Sequence, residues 1–87
     1  MTTNDAQNTL LQIATEFINE GPGYAQQTVV LREAVARLQV GQDVKKQQLL
    51  LTVWHDLFRE GKLSWGYNID NPDAPFFHLA ERGQFSS

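Results

Sequence analysis

The sequence contains no cysteine, which excludes several kinds of chemistry at once. Disulfide bonds, thiolate nucleophiles and thiolate metal sites all need the missing sulfur. Histidine is also scarce, with two residues, and no carboxylate stands at a recognisable ligand spacing from either of them. The sequence has no glycine-rich phosphate loop and no nucleophile motif. We therefore expect a protein that is not an enzyme and that holds no metal and no cofactor.

Long apolar runs are missing as well. No such run approaches the roughly 20 residues that a membrane-spanning helix needs. The first residues, Met1-Thr2-Thr3-Asn4-Asp5, lack the basic and apolar regions of a signal peptide. The chain of 87 residues suffices for one domain with one modest core. We expect a cytoplasmic single-domain protein with no membrane partner.

The longest periodic stretch of the sequence runs from Asp43 to Gly61. Asp43 is a suitable N-cap, and Gly61 suits the left-handed position that ends a helix. A step of 100° per residue predicts an amphipathic helix between them. One arc of this helix is apolar and comprises Val44, Leu49, Leu50, Leu51, Val53, Trp54, Leu57 and Phe58.

After Gly61 the period changes to two, which is typical of strands. Leu63, Trp65 and Tyr67 fall on one face, and the alternation resumes around Phe77. Phe76 must then point away from the face that Phe77 occupies. The intervening residues 68–75 are rich in Asn, Asp and Pro, which favour turns. The pattern predicts a β-hairpin that follows the helix.

The first half of the chain predicts two shorter helices. Residues 1–7 are polar and are expected to be flexible, and helix 1 follows until Gly21-Pro22-Gly23 ends it. The trio Thr28-Val29-Val30 forms either a short first strand or the cap of the next helix, and β-branching favours the strand. Helix 2 is predicted from about Leu31, with an apolar stripe at Leu31, Ala34, Val35 and Leu38. A glycine-bearing turn then leads to Asp43, as in a helix-turn-helix.

The segments HDLFREGKLSWGYN and FFHLAERG, in this order of elements, resemble bacterial winged helix-turn-helix domains. PadR-like and MarR-like regulators end the second wing strand with a Leu-Thr-x-x-Gly run, and Leu79-Ala80-Glu81-Arg82-Gly83 is similar, with alanine in place of threonine. The resemblance implies an α+β fold of three helices and a C-terminal wing over residues 8–84, with 85–87 as a tail. It also implies DNA binding, transcriptional regulation and a dimer. A further set of similar bacterial winged-helix proteins adds no activity to this expectation.

If the third helix enters a major groove, its strip outside the apolar arc must make the contacts. Lys46 can reach a phosphate, and Arg32 and Arg37 on helix 2 and Lys62 at the wing base can add phosphate contacts. The alternative is a solvated helix face. The candidates for base contacts on the strip are Lys45, Gln48, Thr52, His55 and Arg59.

The charge distribution argues against DNA. The chain has seven basic residues and a net charge of −3, whereas DNA-binding domains usually carry a distinct basic surface. Residues 32–62 hold six basic and four acidic side chains, so the local excess is small. The wing loop carries Asp70 and Asp73 and no basic residue, so phosphates would repel it.

A second hypothesis is therefore a winged-helix module that binds protein and not DNA. The acidic loop is one candidate surface, and unused apolar residues, together with helix 1, are another that a second subunit could cover. The candidate partner-binding residues are Asp70, Asp73, Phe76, Leu51 and Phe58. Both hypotheses remain open at this point.

Overall fold

The computed structural model describes residues 1–80, which form three helices and three short strands in one domain. The elements are α1 (Thr3–Glu20), β1 (Ala25–Gln26), α2 (Gln27–Leu38), α3 (Val44–Arg59), β2 (Leu63–Trp65) and β3 (Phe76–Leu79). The strands form one antiparallel sheet in the order β1-β3-β2. This winged-helix-like arrangement confirms the predicted α+β class. Residues 81–83 of the Leu79–Gly83 run and the predicted tail lie outside the described residues.

Helix α1 begins at Thr3, earlier than predicted, and it includes most of the segment that was expected to be flexible. The Asp5 amide donates to the Thr2 hydroxyl, and the Thr2 amide donates to the Asp5 carboxylate. This reciprocal capping box satisfies two amides that a helix start otherwise leaves free. The predicted helix end is confirmed, because α1 stops at Glu20 with Gly21 as its C-cap.

The predicted first strand at 28–30 is wrong, because these residues belong to α2. The strand lies just before them, where Ala25 pairs with Phe77 and Gln26 with Phe76. The amide of Gln27 then donates to the Pro75 carbonyl at 2.9 Å and the helix begins at once, ahead of the predicted start near Leu31. Val30 is fully buried on the helix, so burial on a helical face overrides the strand preference of the β-branched trio.

Helix α3 has the predicted bounds. The Asp43 carboxylate accepts from the Lys46 amide at 3.1 Å, and Gly61 has a φ of 78° just after the helix. The apolar arc is narrower than predicted, because Val44 and Leu51 are 65% and 43% exposed. The buried residues of the helix are Leu50, Val53, Trp54 and Leu57.

The core forms where α2 and α3 both pack against α1, with the sheet closing one side. Helix α2 contributes Val30 and Ala34 as fully buried residues. The predicted stripe of α2 is therefore rotated, because Leu31, Val35 and Leu38 are partly buried at the core margin. Residues 1–80 include no helix that is both long and apolar enough to cross a membrane. The core side chains are Ala6, Leu10, Ile13, Ala14, Ile18, Val30, Ala34, Val40, Leu50, Val53, Trp54, Leu57, Leu63 and Phe77.

The wing hairpin has the predicted alternation at Leu63 and Trp65, which lie opposite Leu79 and Phe77 on the inner face. The prediction for Tyr67 is wrong, because β2 ends at Trp65 and the Tyr67 ring packs against Phe76 on the outer face. Gly66 follows β2 with a φ of 95°, a conformation that residues with a side chain rarely adopt. A Cβ at this position would also lie 2.5 Å from the backbone of Pro72. Glycine is therefore required where the end of β2 lies close to the backbone of the wing loop.

Candidate nucleic-acid interface

The strip of α3 that was predicted to face DNA is exposed along its length. Its members follow one another at alternating intervals of three and four residues, which keeps them on one side of a helix. Lysine, glutamine, threonine and histidine side chains can all donate or accept hydrogen bonds at base edges. The exposed strip consists of Lys45, Gln48, Thr52, His55 and Arg59.

Three of the predicted nucleic-acid-binding side chains on α3 and at the wing base have acidic neighbours. Lys46 lies 3.9 Å from Asp43, and Lys62 lies 3.8 Å from Glu60. The Arg59 guanidinium is bonded to Asp56 one turn before it. Exposed pairs of this kind contribute little stability and can open, yet each acid cancels part of the positive potential that would attract DNA.

Arg37 on α2 is bonded to acidic side chains of two helices. Its guanidinium bonds Glu33 at 2.8 Å on its own helix and Glu16 at 2.9 Å on α1. The hydrogen bond from Arg37 lowers the pKa of the Glu16 carboxyl. The hydrogen bonds that Arg37 donates to Glu33 and, to a smaller extent, to Glu16 raise the pKa of Arg37. The structure thus assigns this arginine to the α1–α2 contact.

Arg32 and Lys45 are the two basic side chains of residues 1–80 that have no acidic partner. Both are exposed, Arg32 on α2 and Lys45 in the first turn of α3. Within residues 1–80, they are the positive charges most readily available to an anionic ligand.

An open groove of about 700 Å³ separates α2 from α3. Leu31 and Val35 line it from α2, and Leu50 and Leu51 line it from α3. Arg32 and His55 are also among its lining residues, and no carboxylate is. The sequence predicts several of these residues separately as contacts but does not predict the groove, because the groove depends on how far apart the two helices lie. Its remaining lining residues are Gln27, Thr28, Ala36, Gly41 and Gln47.

The tip of the wing is a tight turn whose geometry is held by asparagine. The Asn71 amide donates to both the carbonyl and the side-chain oxygen of Asn68, at 3.1 and 2.7 Å. Ile69 and Asp70 are the two central residues of this turn, and Ile69 is 92% exposed. Asp73 is exposed further along the loop. Ile69 was not among the predicted residues, although an isoleucine inside an otherwise polar loop was a usable signal.

Two of the predicted partner-binding aromatics are partly covered by their own chain. Phe58 stacks on Trp65 with ring centres 3.8 Å apart. Phe76 lies on the outer face of the sheet, as predicted, but its ring meets Tyr67 edge-on at 5.0 Å and Tyr24 at 5.9 Å. Leu51 is thus the most exposed apolar side chain among the predicted partner-binding residues.

The two histidines have different surroundings. His55 is exposed at the groove, whereas Nδ1 of His78 lies 2.7 Å from the Gly66 carbonyl and helps to hold the wing. Within residues 1–80, no three His, Asp or Glu side chains converge as a metal site would require. The candidate interface thus combines three features described above: the polar strip of α3, the apolar groove between α2 and α3, and the acidic wing loop.

Comparison of the chain with protein-family models, with curated proteins and with solved structures gives no match.

Proposed function

We propose that this domain binds double-stranded DNA and that α3 is its recognition helix. The observation that carries the proposal is the exposed row Lys45, Gln48, Thr52 and His55 on the third helix of a winged-helix-like fold. A helix in this position of a helix-turn-helix enters the major groove with its exposed side chains toward the bases.

The side chains of the row divide into two roles in this proposal. Gln48 can pair with adenine through two hydrogen bonds, and Thr52 and His55 can contact neighbouring base edges. Lys45 contacts a phosphate, since it is not neutralised by an acid within the described residues. The small number of available basic residues predicts weak binding with a shallow salt dependence.

The resemblance to PadR-like and MarR-like regulators extends the proposal to transcriptional regulation in the cytoplasm. Its support is analogy of fold and of the wing motif, and a fold hosts many functions. The biochemical claim on which regulation depends is duplex binding, and that claim can be tested alone.

The test is fluorescence anisotropy with a short mixed-sequence duplex at low salt. Lys45→Gln should weaken binding and reduce the slope of log affinity against log salt by about one. Asn8→Asp is the matched control, because it lowers the net charge by the same amount at an exposed position on α1. Equal loss in both variants, or no duplex binding by the parent, would contradict the proposal.

A protein-binding module is the second candidate, and the wing favours it. The loop 68–75 is exposed, has two aspartates and no basic side chain, and presents Ile69 at its tip. Changing Asp70 and Asp73 together to asparagine separates the candidates. Tighter duplex binding by this variant supports a wing that lies beside phosphates, whereas loss of a protein partner with unchanged duplex binding supports the module.

A further inference from the structure

We propose that the groove between α2 and α3 receives the wing tip of a second copy of this chain. Ile69 of one copy lies against the leucine and valine side chains that line the groove of the other. Asp70 and Asp73 of the first copy lie near Arg32 of the second. This inference does not depend on DNA binding, and it names one occupant for both the groove and the tip.

The groove side of the contact is suited to an apolar residue flanked by acids. The apolar part of its lining, here called its floor, consists of Leu31, Val35, Leu50 and Leu51, and Leu51 remains 43% exposed. Arg32 lines the groove without an acidic partner in residues 1–80, and no carboxylate lines it to repel an incoming one. Burial of the apolar floor and neutralisation of Arg32 both favour such an occupant.

The tip side has the matching chemistry. Ile69 is the most exposed of the large hydrophobic residues in the described chain, at 92%, and Asp70 follows it in the same turn. The hydrogen bonds between Asn68 and Asn71 hold this turn in shape before any contact forms. A preformed loop loses little conformational entropy when it binds, which favours association.

The contact must be intermolecular. The wing loop of each copy is attached beside its own groove through the bond from the Gln27 amide to the Pro75 carbonyl. Gln27 lines one part of that groove. Even so, Ile69 keeps nearly all its exposure, so a chain does not bury its own tip.

The size of the contact predicts its strength. One loop tip in one groove buries much less than the roughly 1,200 Å² of a standard interface, so a single contact is weak. Two copies that exchange tips about a twofold axis make the contact twice and form a closed pair. We expect a reversible dimer that is detected at high protein concentration and that salt weakens.

The test is sedimentation velocity over a concentration series at low salt, without DNA. Arg32→Glu should shift the association to higher concentration, and so should Asp70→Lys combined with Asp73→Lys. A variant that carries all three changes restores an opposite-charge contact and should recover association. Glu20→Lys is the control, because it changes the net charge by two at an exposed position at the end of α1, outside the proposed contact.

Ile69→Ser tests the apolar part of the contact, and circular dichroism checks that each variant is folded. Weaker self-association of Arg32→Glu and of the double variant Asp70→Lys, Asp73→Lys, with recovery when all three changes are combined, supports the proposal. Absence of self-association in the parent, association that ignores these changes, or failure of the combined variant to recover would each overturn it. The wing lysines also separate this inference from DNA binding, because they should weaken the dimer while adding positive charge that attracts a duplex.

Discussion

The two flanks of α3 differ in what covers them. On the wing flank, Trp54 and Phe58 pack against Trp65 and Phe77. On the groove flank, Leu51 and His55 face an open space between α3 and α2. The same amphipathic helix thus packs its aromatic side chains against the wing and leaves a leucine and a histidine exposed at the groove. Apolar character alone does not distinguish these uses.

A polar contact also joins the wing flank of α3 to the start of α2. The indole Nε1 of the buried Trp54 donates to Oε1 of Gln27 at 3.1 Å, so its one polar atom is satisfied. The backbone amide of Gln27 in turn bonds Pro75 at the end of the wing loop. Helix α3, the start of α2 and the wing are therefore linked through one side chain and its neighbours.

The largest effect is expected on this wing flank. Trp54→Ala should destabilise the domain by about 3–5 kcal/mol, because it removes a fully buried ring and leaves a cavity. Urea denaturation followed by far-ultraviolet circular dichroism measures the change. A midpoint close to that of the parent would show that the two flanks do not differ as described.

The direct comparison of the flanks uses two truncations on the same helix. Phe58→Ala should cost about 1.5–3 kcal/mol, since it removes a stacked and partly buried ring. Leu51→Ala should cost less than about 1 kcal/mol, since its side chain is 43% exposed beside the groove. Thermal unfolding of both variants under one condition tests the order. An equal cost would mean that the groove is closed in solution.

The smallest effect is expected for the ion pair that joins α2 to α1. Helix α2, like α3, has one side that contacts the rest of the domain and one that faces the groove. Its Arg37 is bonded to α1, whereas Arg32 faces the groove. The bond from Arg37 lowers the folded-state pKa of Glu16, so its stabilising effect is complete above the ordinary value of 4.5. The effect is lost as the pH falls through the lowered pKa. Glu16→Gln should therefore reduce the melting temperature slightly at neutral pH and not in strong acid.

Glu20→Gln is the control for this pH experiment, because Glu20 has no salt bridge within the described chain. A difference between the parent and Glu16→Gln that stays constant from neutral pH into strong acid would contradict the assigned role of the Arg37 bond.

The elements with long periodic patterns or strong end signals were predicted correctly from the sequence. These are α3 with its Asp43 cap, the end of α1 and the inward positions of Leu63 and Trp65 in the hairpin. The position of β1 was predicted wrongly, because a strand of two residues is too short to show a periodic pattern. Its position depends on pairing with Phe76 and Phe77. The start of α1 was missed because its capping box uses Asp5 where glutamate or glutamine is usual.

The candidate site was predicted only in part. Exposure of the α3 strip follows from helical period alone, and all of its predicted residues are exposed. The role of Arg37 could not be predicted, because its partner Glu16 is 21 residues away in the chain. The groove depends in the same way on the separation of two helices, which no local pattern encodes.

The positions of Trp54 and Trp65 have a consequence for spectroscopy. The chain has two tryptophans, and both belong to the aromatic contacts of the wing flank. Neither lines the groove. Intrinsic fluorescence will therefore report the integrity of the wing and core directly, and an occupant of the groove only indirectly. An added fluorophore at the groove would be needed to observe binding there without confusing it with unfolding.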